Sequence, residues 1–201
     1  MMVKLKRTSI LVLFILLSAS FGCREVAVPK PKGHFRIDLP KRQYILYNDQ
    51  TGINGKIHLS FEYPAYGHLT FQEEIGSKPG WFNIEFPFYK AKIYLTYKDV
   101  NNDLDSIMEA SYQLNVKYHI TKADAINEQV FSNRENKVYG ILYDLKGNTA
   151  SAVEFYVTDS LTHYLRGSLY FAAEPNADSL APVIDFFRED IIHLIETLKW
   201  K

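Results

Sequence analysis

The chain has 201 residues with 23 basic and 23 acidic side chains, so its formal net charge is zero; it carries no electrostatic footprint for a phosphate backbone, and nucleic acid is excluded as a partner. Hydrophobic residues make up 47% and aromatic residues 14%, which supplies one domain with a sizeable core. Cys23 is the only cysteine, so that core must rest on packing and not on disulfides.

The first element is a leader. Lys4, Lys6 and Arg7 precede an apolar run from Ile10 to Leu17, too short to span a bilayer, and Ala19-Ser20-Phe21-Gly22-Cys23 follows. This is the pattern of a bacterial lipoprotein signal peptide over residues 1–22, cleaved just before a diacylated Cys23. Each buried acyl methylene contributes about 0.8 kcal/mol, so a multiply acylated cysteine holds the chain on a membrane without a transmembrane helix. Loss of the three leader cations leaves the mature chain slightly acidic. Residues 23–33, with Pro29 and Pro31, read as the lipidated cysteine and an extended tether, and residues 34–201 as a single domain. With no acidic run behind Cys23, the anchor is expected to face the periplasm, on the outer membrane ahead of the inner.

From Lys56 the chain alternates. Ile57, Leu59, Phe61 and Tyr63 share one face of a strand that Pro64 ends, and a second strand runs from Gly67 to Glu73. Lys78-Pro79-Gly80 signals a turn. Trp81 to Phe86 alternates imperfectly before Pro87 and is read as an edge strand, and Ala91 to Tyr97, rich in β-branched and aromatic residues, as an interior one. The period then changes. Leu104, Ile107, Met108, Ser111, Leu114 and Tyr118 form a helical stripe over Asn102 to Tyr118, with Asn102 and Asp105 spaced as a capping box. Thr121 to Asp124 reads as a second short turn of helix. Lys137–Leu145, Thr149–Thr158 and His163–Ala172 form an antiparallel meander, the first two joined by Lys146-Gly147-Asn148. After Pro175-Asn176, Pro182 suits a first helical position, and Val183, Phe186, Phe187, Ile191, Leu194, Ile195 and Leu198 make a wide apolar face up to Trp200, so the chain is expected to end as a packed helix. The fold class is α+β: an antiparallel sheet covered by helices in an α-β-α layered arrangement.

The chemistry-bearing residues are sparse. His34, His58, His68, His119, His163 and His193 include no pair at helical metal-ligand spacing, and no zinc site, other metal or cofactor is expected. Asp159, Ser160 and His163 offer an acid, a hydroxyl and a base locally. Neighbours in a turn do not point together, however, and no Gly-x-Ser-x-Gly elbow exposes a serine, so a hydrolase using Ser160 and His163 ranks behind a turn in which Asp159 and Ser160 bond their own backbone. Catalytic residues are therefore expected to be absent. Asp105-Ser106-Ile107, Asp159-Ser160-Leu161 and Asp178-Ser179-Leu180 match a short periplasmic O-glycosylation sequon, which makes Ser106, Ser160 and Ser179 candidate modification sites, although each also sits where a cap or turn is expected. Arg36-Ile37-Asp38 and Arg166-Gly167 place charge within strand-like segments, either facing solvent or held by a partner.

Several segments together carry a resemblance. Pro29-Lys30-Pro31-Lys32-Gly33-His34-Phe35-Arg36-Ile37-Asp38-Leu39-Pro40 just behind the lipobox, Phe61-Glu62-Tyr63-Pro64, Tyr139-Gly140-Ile141-Leu142-Tyr143-Asp144, Thr158-Asp159-Ser160, Arg166-Gly167-Ser168-Leu169-Tyr170-Phe171 and the closing Glu196-Thr197-Leu198-Lys199-Trp200 resemble the gliding motility lipoprotein GldD family of Bacteroidota. The resemblance implies an accessory envelope lipoprotein, needed for surface gliding and for the linked type IX secretion system, that works by contact with other proteins of that machinery and with the membrane through its lipid. It brings no catalytic residues. The order of elements is also similar to the PsbP fold, on topology alone. A periplasmic small-ligand-binding module is the runner-up reading, and a concave pocket with convergent polar groups is what would favour it.

Overall fold

Alternation of apolar with polar side chains builds most of this molecule, because neighbouring residues in a strand face opposite ways. The computed structural model describes residues 37–48, 57–71, 80–117, 121–173 and 177–201. The leader, Cys23, the tether, His34, Arg36, Gln72, Glu73, Lys78-Pro79, Tyr118, His119 and Pro175-Asn176 lie outside the described residues. In chain order the elements are β1 (Tyr44–Asn48), β2 (Leu59–Pro64), β3 (His68–Phe71), β4 (Trp81–Phe86), β5 (Ala91–Asp99), α1 (Leu104–Tyr112), β6 (Ala125–Asn133), β7 (Val138–Lys146), β8 (Ser151–Thr158), β9 (His163–Phe171), α2 (Ala177–Thr197) and β10 (Lys199–Trp200). A seven-stranded sheet has the order β3-β4-β5-β9-β8-β7-β6 and a three-stranded one the order β1-β2-β10; every pairing is antiparallel.

One face of the large sheet carries Phe82, Ile84, Ile93, Leu95, Leu142, Phe155, Val157, Leu165 and Leu169, packed with Leu59 and Phe61 of β2 and with Val183, Phe187, Ile191 and Ile195 of α2. Gly167 sits in this face because a Cβ there would lie 2.1 Å from the Phe155 ring. The alternate residues Tyr143, Tyr156 and Tyr164 face the other way and join Val100 and Ile107 under α1, with the Tyr164 hydroxyl donating to Ser111 Oγ. Helices thus cover both faces of an antiparallel sheet, which is the α-β-α layering expected from the pattern.

Several elements depart from expectation. β4 is interior, not an edge, because β3 pairs outside it, and Asn83 is correspondingly buried. β1 was not anticipated: it is short and an edge, with Ile45 and Leu46 exposed. Residues 121–124 form a turn and bend and not the short helical turn expected, and β6 follows unanticipated; Asn127, Glu128 and Gln129 blur its alternation, as an edge strand permits. α1 stops at Tyr112 and continues as a π-helical turn, Gln113–Lys117, so Leu114 leaves the stripe and is exposed. No capping box starts it. Asp103 is the N-cap, and its carboxylate accepts from the Asn101 backbone N–H, not from the helix. α2 begins at Ala177, so Pro182 lies inside it. The chain ends not as helix but as β10, which pairs with β2 after the Thr197 hydroxyl donates to the His193 carbonyl and accepts from the Glu62 N–H.

Candidate functional site

The β8–β9 turn holds the residues that a local hydrolytic site would use. Asp159 Oδ1 accepts backbone N–H bonds from Leu161, Thr162 and His163 at 2.8–2.9 Å, and Oδ2 accepts the Thr162 hydroxyl. Burial pushes this carboxyl up, but the bonds from His163, Leu161 and Thr162 outweigh it and hold the group down at about 2. The carboxylate is spent on shaping the turn. Ser160 is exposed, with φ of 70°, and its N–H donates to Thr158 Oγ1. The His163 ring lies elsewhere, stacked on Trp200 with 5.4 Å between centroids, its Nδ1 2.7 Å from a Tyr97 hydroxyl that donates to Asp99. Asp159 and His163 therefore meet through the His163 backbone, while the His163 ring serves other partners than the Asp159 carboxylate.

A second polar cluster fastens the segment before β1 to α2. Asp190 is 1% exposed, accepts the hydroxyls of Tyr44 (2.9 Å) and Tyr66 (2.5 Å), and lies 3.5 Å from Arg42 Nε. Burial raises its pKa, and the bonds from Tyr66, Tyr44 and Arg42 oppose that only in part. Desolvation and the hydrogen bond to Asp190 push the Tyr44 hydroxyl up to about 12. Arg42 also lies over the Phe186 ring at 4.5 Å, and Tyr44 stacks on His193 at 3.6 Å. The arrangement is a clasp, with both Asp190 oxygens facing partners of this chain.

The third place is concave. Where α1 no longer covers the sheet, a cleft of about 740 Å³ opens between the start of β5 and the end of β9. Cross-strand register builds it: Lys92 stands opposite Tyr170, Tyr94 opposite Ser168 and Thr96 opposite Arg166, all pointing away from the main core. Arg166 Nη2 lies 2.5 Å from Oε2 of Glu154, whose side chain is 1% exposed, so the charge within this strand is ion-paired at the base of the cleft. Lys92 Nζ pairs with Glu85 at 2.8 Å, which lowers the Glu85 pKa and raises that of Lys92. Tyr94 and Tyr170 meet edge to face at 5.5 Å. Ser168 is 2% exposed and its Oγ has no hydrogen-bond partner among the described residues.

Sequence reasoning picked out Arg166 and missed the rest of this lining. Its trace was present: Lys92, Tyr94, Arg166, Ser168 and Tyr170 alternate with the core residues Ile93, Leu95, Leu165 and Leu169. What was missing is the β5–β9 pairing, which joins strands some seventy positions apart. Of the candidate modification sites, each expected at a cap or turn, Ser106 is exposed in the first turn of α1, Ser160 is exposed between β8 and β9, and Ser179 is half-buried in the first turn of α2. Among the described residues no group of three or more His, Cys, Asp and Glu is placed to hold a metal, and no helix is long and apolar enough to cross a membrane.

The fold and cleft define an α+β layered domain with a concavity on its sheet lined by charged, hydroxyl and aromatic side chains. A family model described as gliding motility lipoprotein GldD matches residues 24–200, and the chain belongs to that family. It is an envelope-associated lipoprotein of the gliding motility type. Comparison with curated proteins gave no match. Among solved structures the chain is similar to cyanobacterial PsbP (CyanoP) from Synechocystis sp. PCC 6803, at 11% identity and a TM-score of 0.47, over 90% of this chain and 98% of that one.

Proposed function

We propose that this protein is a lipid-anchored, periplasm-facing accessory factor, required for gliding motility and the linked type IX secretion machinery of Bacteroidota, that acts by contact with other envelope proteins and not by catalysis. The observation that carries the reading is the family match over residues 24–200, which starts directly behind Cys23. Residues 1–22 are the leader, a diacylated Cys23 and residues up to 33 the anchor and tether, and 34–201 the single working domain, on the outer membrane ahead of the inner. Ser106, Ser160 and Ser179 are its candidate O-glycosylation sites. The commitment of Asp159 to backbone N–H groups supports a noncatalytic role, since the acid of a local triad is otherwise engaged.

The test separates anchor from chemistry. Cys23→Ala is expected to lose the acyl label and leave the membrane fraction, and deletion to abolish gliding and secretion of type IX cargo. Ser160→Ala, His163→Ala and His119→Ala are expected to support both at normal abundance. A label that persists on Cys23→Ala overturns the anchor; a stably folded, anchored Ser160→Ala or His163→Ala protein that fails in motility overturns the noncatalytic reading. The runner-up, a periplasmic small-ligand-binding module, is favoured by one observation, the cleft between β5 and β9 with Lys92, Arg166 and Ser168 in its lining.

A further inference from the structure

We infer that the cleft between β5 and β9 binds a saccharide bearing a carboxylate. This goes beyond the accessory role and holds or fails independently of it. A volume of about 740 Å³ is too large for a lone inorganic ion and falls within the range of small-molecule sites. Its lining offers fixed donors and an acceptor side by side: Arg166, held from beneath by the buried Glu154, and Lys92 beside Glu85. A sugar hydroxyl both donates and accepts, so it bridges such paired charges where a purely apolar or purely anionic ligand cannot. Ser168 adds a buried hydroxyl whose oxygen finds no hydrogen-bond partner among the described residues, a costly state that a ligand hydroxyl relieves.

The aromatic and charged parts narrow the class. Tyr94, 42% exposed, meets Tyr170 edge to face at the cleft, and the two rings offer the apolar surface on which the C–H face of a pyranose packs. Three cations line the cleft, Lys90, Lys92 and Arg166, against one lining carboxylate, Glu85. With Lys92 paired to Glu85 and Arg166 to Glu154, Lys90 is left exposed with no ion-pair partner among the described residues. That surplus charge selects an acidic sugar over a neutral one. Two sources share this chemistry: the lactyl carboxylate of a cell-wall muramic sugar and the carboxylate of a uronic acid in a surface polysaccharide.

The experiment is calorimetric titration of the full-length protein in detergent with N-acetylmuramic acid and with glucuronic acid, against N-acetylglucosamine, glucose and acetate as controls. Saturable binding of at least one acidic sugar is expected, tighter than its neutral counterpart and weakened by salt. Tyr94→Ala is expected to weaken it about tenfold, Ser168→Ala several-fold, and Lys90→Gln to remove the preference for the acid. Circular dichroism of each variant shows that the fold is retained. A preference for N-acetylmuramic acid assigns the cell-wall source and a preference for glucuronic acid the polysaccharide source; either supports the inference. Absence of saturable binding by both acids at millimolar concentration, acetate binding as well as the sugars, or undiminished binding by a folded Tyr94→Ala protein overturns it.

Discussion

The two faces of the seven-stranded sheet are made by the same strands and have opposite chemistry. The face toward α2 is dry: Phe155, Leu165, Leu169, Phe187 and Ile191 are all fully buried, and rings such as Phe86 and Phe187 pack at 4.4 Å. The face toward α1 is built from the tyrosines Tyr143, Tyr156 and Tyr164, the last donating to Ser111, and from ion pairs, and beyond the helix it lies open as the cleft. The difference teaches that alternate residues of one strand can be devoted to stability and to recognition separately. A change on the first face should alter folding, and a change at the open part of the second should alter binding while leaving the fold in place.

The strongest way to break that contrast is to cut into the dry face. Phe187 is wholly buried against Phe86, Tyr89, Phe171 and Phe186. Phe187→Ala is expected to destabilise the domain by about 3 to 5 kcal/mol, through lost burial plus a residual cavity. Thermal unfolding followed by circular dichroism measures this directly; an unchanged midpoint would mean that α2 does not form the core.

A smaller loss is expected where the polar face is itself buried. Arg166→Met leaves the Glu154 carboxylate without its cation and should cost roughly 2 to 3 kcal/mol, less than for a fully buried pair because water reaches the arginine. Adding Glu154→Leu to Arg166→Met should recover most of that loss in urea denaturation. If the double variant is no better than the single, the pair contributes net stability and is not merely a neutralised charge.

The smallest effect belongs to the β8–β9 turn, where both faces end, and depends on pH. The folded pKa of Asp159 is about 2, below its ordinary value of 3.8, so its contribution is present above the ordinary value and is lost as pH falls through about 2. It amounts to about 2 kcal/mol at most, since the turn is partly solvated. Asp190 has the opposite sign: its raised pKa favours the folded state below the ordinary carboxyl value, and that contribution is lost as pH rises through the raised one. Stability measured between pH 5 and 2 should therefore fall less steeply in Asp159→Asn than in the parent chain, and an identical slope would remove the turn carboxylate from the acid response.

How much was legible depends on how local each cause is. The strands from Leu59, from Ala91 and through the meander could be read because each carries its own alternation, and α2 because its stripe is wide. β6 and β1 were illegible because edge strands bury too little to enforce a pattern. The turn at Asp159 was legible for a related reason, since a carboxylate bonding N–H groups two to four residues ahead is a short-range device.

The sequence by itself determined the family, the α+β class, the meander and the apolar face of α2, all set by periodicity or by contiguous segments. Only the tertiary structure decided that β4 is interior, that the chain closes as β10 on β2, and that Arg166 is neutralised by Glu154 from the neighbouring strand. It alone also brought Lys92 and Tyr94 opposite Tyr170 and Ser168 to make the cleft. The physical reason is that pairing partners are chosen by the free energy of the whole packed sheet, in which apolar burial fixes the register and the polar residues on the opposite face are carried into contact with it.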